Sequence, residues 1–194
     1  MRFPHHVRMS VTRRDDKELR LGAFIARGLG GSETPAAILV LARSAQSPVV
    51  RSVSALAGDI AATQCAVRII LTRAERNGIG DGLGALRAAA PCEVRLARNP
   101  RLIEAHEQLV IGARICWTGD TMRRDPATCD AYESFVEDCA EIGAAAAATF
   151  ERLWSDCVPA VDTRLPTTAA SATPKAIVPP TSISRHVGAR RRAD

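Results

Sequence analysis

The stretch "HEQLVIGARICWTG" (106–119) carries the one histidine, of four in the chain, that stands away from both ends. An imidazole titrates near neutrality, so His106 has the chemistry of a nucleophile or a proton carrier. It equally has the chemistry of an ordinary ring, partly exposed or bonded locally beside Glu104 and Glu107. A Ser-His-Asp arrangement would have to be built on His106, and the sequence has no G-x-S-x-G elbow. There is no G-K-S or G-K-T, hence no Walker loop. The glycine-rich "GIGDGLG" (78–84) lacks the G-x-G-x-x-G order and reads as a loop and helix start. Cysteines stand at 65, 92, 116, 129, 139 and 157, with no C-x-x-C pair and no histidine at ligand spacing. No metal and no cofactor are therefore expected.

The elements that must position His106 alternate. "AAILVLA" (36–42) and "AVRIILT" (66–72) are apolar runs suited to strands buried on both faces. Between them, "SPVVRSVSALAGDIAAT" predicts a helix, with Ser47 as N-cap, Pro48 at its first position and Val49, Val53, Leu56 and Ile60 on one face. "DGLGALRAAA" (81–90) predicts a short helix and "CEVRLAR" (92–98) a third strand. This β-α-β-α-β order is that of a layered α/β domain. "EQLVI" (107–111) and "RICWT" (114–118), parted by Gly112 and Ala113, then predict a hairpin. Residues 126–157 admit two readings: one long helix, or a strand over "AYESFV" (131–136) followed by a helix capped near Asp138. In that last helix Ile142, Ala146, Phe150 and Leu153 share a face beside Trp154. Core packing is the expectation for Trp154 and for Trp117.

Charge divides the 194 residues unevenly. Residues 1–30 hold seven Lys/Arg against three acids, and 159–194 hold six against two. Residues 31–158 hold thirteen arginines against sixteen acids. The expected organisation is a basic, largely flexible arm over 1–30, an α/β domain over 31–158, and a disordered Pro/Ala/Thr-rich basic tail over 159–194. "LRLGAFIARGLGG" (19–31) predicts a short helix within the arm. Both lysines, Lys17 and Lys175, fall in the ends, so the expected folded body has one imidazole and no ammonium. No stretch is long and apolar enough for a membrane-spanning helix, no secretory signal is indicated, and dispersed cysteines favour the cytoplasm.

The order of elements, together with "H-x-x-L-V-I-G-x-R-I-x-x-T-G" (106–119), the Tyr132-Glu133 pair and a helix ending "FERLW", resembles one lobe of the phospholipase D superfamily over about residues 31–157. In that family a histidine opens a strand, a lysine follows two places later and an aspartate five beyond. A Gly-Ser-x-Asn motif follows the next strand. Here His106 stands at the nucleophile position and Gln108 at the lysine position. The aspartate position falls at Gly112 or Ala113. Gly119 matches the motif glycine, Asp120 replaces its serine, Met122 replaces its asparagine, and Glu133 matches an acidic residue of the following strand.

The resemblance implies an imidazole attacking phosphorus while cations hold the phosphoryl oxygens. The family's lysine is missing at 108, and Asp120 places a carboxylate where the anion would sit. Arg43, Arg73, Arg98 and Arg101 follow predicted strands, on the edge where open α/β sheets bind ligands, and with Gln108 they are the candidate polyanion contacts. The expected protein is a layered mixed β-sheet flanked by helices, a phospholipase D-like lobe with disordered termini. It is expected to be catalytically impaired, a pseudoenzyme that binds a polyanion or protein partner or serves as a scaffold, with nucleic acid reached through the basic ends. The alternative is a homodimeric phosphodiesterase or nuclease using His106 of each subunit.

Overall fold

The structure, a computed structural model, describes residues 6–12, 16–31, 35–73, 80–124 and 131–160. In chain order the elements are β1 (His6–Thr12), α1 (Lys17–Leu29), β2 (Ala37–Ala42), α2 (Pro48–Ala55), α3 (Ala57–Thr63), β3 (Ala66–Leu71), α4 (Gly80–Ala89), β4 (Cys92–Leu96), a 3-10 turn (Pro100–Glu104), β5 (His106–Ile111), β6 (Ile115–Thr121), β7 (Ala131–Glu137), α5 (Ala140–Ser155) and β8 (Val158–Pro159). The strands form one sheet in the order β1-β7-β6-β5-β2-β3-β4-β8. β2, β3 and β4 are parallel to one another, and every other pairing is antiparallel.

Alternation along the buried strands feeds two separate cores. Ile38 and Val40 of β2 join Ile69, Leu109 and Trp117 under helices α1 to α4. Leu39 and Leu41 join Ile70, Val110 and Val136 under α5. The result is three layers, with four helices on one face of the sheet and one on the other. The hairpin of β5 and β6 turns through residues 112–114, as the sequence predicts. Of the two readings of 126–157, the structure takes strand plus helix.

Three expectations are corrected. The arm expected over 1–30 carries regular structure in its described residues: β1 pairs along its length with β7, and α1 buries Leu21, Phe24, Ile25 and Leu29. Those four residues repeat at helical spacing, and the charged run before them masks the stripe. The predicted helix over 47–63 is two helices, because the chain breaks at Leu56, whose N–H bonds back three residues to Val53. The buried face of α5 is Gly143, Ala146, Phe150 and Trp154, rotated by one residue, so Ile142 is exposed. A Cβ at Gly143 would lie 2.3 Å from the carbonyl oxygen of Ala113, so the helix approaches the β5–β6 turn as only glycine permits. The expected disordered tail lies outside the described residues from 161 onward, while Pro159 and Ala160 still lie against β4.

Candidate functional site

The parallel strands all end on one edge of the sheet. Arg43 follows Ala42 at the end of β2, Arg73 follows β3, Arg98 follows β4, and Arg101 lies in the 3-10 turn. β5 runs the other way, pairing Leu41 with Gln108, so its first residue, His106, opens on the same edge. β6 ends there too, at Thr121, followed by Arg123 and Arg124. The four arginines and His106 therefore lie along one rim of the sheet. Arg73, Arg98, Arg101 and His106 are exposed there, and Arg43 is half-buried. Gln108 lies two residues into β5, its side-chain amide 4.0 Å from Cys116 Sγ.

His106 Nδ1 lies 2.8 Å from the carbonyl oxygen of Gly119. A carbonyl only accepts, so Nδ1 carries the hydrogen, and the neutral ring keeps its lone pair on Nε2. The register between β5 and β6 slips by one residue between His106 and Gln108, giving β6 the extra residue of a bulge. Bonds from Met122 N to the Ala105 carbonyl at 2.9 Å and from Thr121 Oγ1 to the Glu104 carbonyl at 3.1 Å close this corner. Asp120, at the family's serine position, is occupied: it accepts from Thr121 N at 2.8 Å and from Arg124 Nη1 at 2.6 Å.

Just beneath the rim, on the α1 side, lies a group that the sequence reading missed. Lys17 is 2% exposed, Glu107 1% and Glu133 2%. The expectation of a body without an ammonium is thereby overturned. The signal was present: Lys17 stands four residues before Leu21 and so shares its helix face. A lysine at a helix start nevertheless reads as solvated until carboxylates from distant strands meet it. Glu107 accepts from the Arg43 backbone N–H at 3.1 Å. Burial pushes its carboxyl above the ordinary range, opposed by that bond, by the Ser47 hydroxyl and by the charges of Lys17 and Arg43. Trp117 Nε1 donates to Glu133 Oε1 at 3.2 Å. Lys17, Glu107, Glu133, Trp117 and Asp120 line a pocket of about 10 Å3, room for roughly one water. Among the described residues, no group of three or more His, Cys, Asp or Glu side chains is placed to hold a metal ion.

What the rim and its bulge can do chemically is present arginines and one exposed imidazole to an anion, while the Lys17 ammonium lies buried beneath. No protein-family model matches this chain, and no curated protein sequence does. Solved structures match in shape. Nuc from Salmonella typhimurium, a phospholipase D family member, superposes with a TM-score of 0.58 at 13% identity, over 80% of this chain and 97% of that one. NucT from Helicobacter pylori does so at 0.57 and 14%, over 80% and 99%. TrmBL2, an archaeal chromatin protein, does so at 0.50 and 13%, over 80% and 54%. The chain has the fold of a phospholipase D superfamily lobe. Among the described residues no helix is long and apolar enough to cross a membrane.

Proposed function

We propose that this chain is a phospholipase D-fold lobe that binds phosphodiester polyanions through the arginines at its strand ends, with hydrolysis impaired. The observation that carries the reading is the separation of charge from imidazole. His106 stands exposed on the rim, whereas the Lys17 ammonium is buried beneath it among carboxylates. An anion on the rim meets guanidiniums that hold it, while Lys17, the lysine among the described residues, lies buried among carboxylates and is poorly placed to steady the charge that builds during displacement. Asp120 adds a carboxylate, already engaged by Arg124, at the corner where the phosphoryl oxygens would have to sit. TrmBL2, which has this fold, is described as binding DNA by a novel mode.

The test is oligonucleotide binding by fluorescence anisotropy over a range of salt. The full chain carrying Arg73→Gln, Arg98→Gln and Arg101→Gln should bind at least tenfold more weakly than wild type. On a duplex, its log–log salt slope should shrink by up to about 0.9 for each phosphate that is no longer neutralised. A second full-length variant, with Arg190, Arg191 and Arg192 changed to Gln, assigns the share of the basic tail. Affinity that falls only in this second variant would refute the rim and leave the tail as the binding element.

A second reading, a homodimeric phosphodiesterase using His106 of each subunit, draws support from the outward Nε2 lone pair. It requires a dimer, so a monomeric mass by light scattering across the assay concentration range would end it.

A further inference from the structure

The imidazole on the rim and the charges beneath it are linked by a short chain of contacts through four elements. Trp117 lies on β6 and is 3% exposed. Its indole presses on the backbone two residues further along: a Cβ at Gly119 would lie 2.5 Å from Trp117 Cη2 and 2.7 Å from Cζ2. That neighbour is a rigid ring rather than the end of a flexible chain, so it fills the space a side chain at 119 would need and packs directly beside the Gly119 backbone. Its carbonyl oxygen is the acceptor for His106 Nδ1 at 2.8 Å. The indole in turn cannot swing, because its N–H is held by Glu133 on β7 at 3.2 Å. Glu133 is buried, and Lys17 at the start of α1 lines the same pocket.

We infer that Trp117 is a positioning residue for His106, with Glu133 locking the indole and the Gly119 carbonyl transmitting the constraint to the imidazole. The inference deepens the second reading above, in which Nε2 of His106 is the attacking atom. The relay touches no substrate. It selects the tautomer with hydrogen on Nδ1, the opposite of the form that histidine favours in free solution, and so keeps the Nε2 lone pair turned outward. A tryptophan serving only the core would have no effect on which nitrogen carries the proton.

The experiment is long-range 15N–1H correlation NMR of the uniformly 15N-labelled full chain at a pH where the ring is neutral. His106 is assigned by the signals missing from His106→Gln. Wild type should show Nε2 as the unprotonated nitrogen. Trp117→Phe and Glu133→Met each break the relay at a different link and should lose that preference. Glu133→Gln keeps an acceptor oxygen for the indole and should retain it. The inference is overturned if the wild-type ring carries its hydrogen on Nε2. It is also overturned if either link-breaking variant, folded by circular dichroism, keeps the wild-type shifts. The measurement uses no ligand, so its failure leaves the arginine rim untouched, and loss of oligonucleotide binding leaves the tautomer untouched.

Discussion

The two faces of the sheet bury positive charge by different means. On the α1 side, Lys17 is almost wholly removed from water and shares its surroundings with Glu107 and Glu133. On the α5 side, Arg68 and Arg95 keep about a quarter of their side-chain surface wet, at 26% and 25%. Their guanidiniums lie over Trp154, with Cζ 4.3 Å and 4.4 Å from the ring centroid, and Trp154 stacks on Phe150. Arg68 also pairs with Glu151, and Arg95 donates to the Trp154 carbonyl at 3.1 Å. The difference follows from the cations. A guanidinium is flat, weakly hydrated and content against an aromatic face, so it closes a helix–sheet seam while its edge stays in solvent. An ammonium is a compact charge that must bring carboxylates with it when buried. The α5 side is therefore built for packing, whereas the α1 side holds a charged network directly under the rim that carries His106.

The largest expected effect breaks that network. Lys17→Met removes the ammonium from beside two buried carboxylates, leaving Arg43 as the remaining cation near Glu107, and should cost about 3–5 kcal/mol in urea unfolding at neutral pH. The loss should be smaller in acid, where the carboxylates can take up protons. A cost under about 1 kcal/mol would place Lys17 in the same class as the arginines opposite.

A pH titration sharpens the comparison. Because burial raises the Glu107 carboxyl above 4.5, the folded chain keeps that proton to higher pH than the unfolded chain. Its contribution to stability is therefore full below pH 4.5 and is lost as pH rises through the raised value. Lys17, Arg43, Glu133 and Asp120 surround it. In Glu107→Gln that loss disappears, so the difference in unfolding free energy should move in favour of the variant across this window. A difference that moves the other way would mean that the ammonium outweighs desolvation.

The smallest effect belongs to the α5 side. Arg68→Met removes one guanidinium from the Trp154 face and an ion pair whose carboxylate is half-exposed, and should cost about 0.5–1 kcal/mol. Its pH dependence should match wild type, unlike that of Glu107→Gln.

How much of this was legible in the sequence varies with how local the signal was. The apolar runs of β2 and β3, the alternation of β4 and the hairpin around Gly112 are written in neighbouring residues, and they yielded the layered sheet and the rim. The placement of the four arginines followed, because the ends of parallel strands share an edge, and His106 joins them because antiparallel β5 begins there. β1 and α1 were obscured because β1 pairs with a strand some 120 residues away, and α1 opens in a run of charges. The Lys17 network was hidden for the same reason: Glu107 and Glu133 reach it from other strands, and a single residue in one segment says nothing of that meeting. Glu133 stood out through the resemblance, but its bond to Trp117 was not foreseeable. The choice of Gly143 over Ile142 as the inward residue turned on an approach to Ala113 that periodicity cannot encode.

Hydrolysis of bis-(p-nitrophenyl) phosphate by the full chain and by His106→Ala, measured side by side, tests the central claim most directly. The separation of the rim imidazole from the buried ammonium predicts rates that match each other within error. A wild-type rate at least tenfold above that of the alanine variant would contradict it and make this chain a working phosphodiesterase.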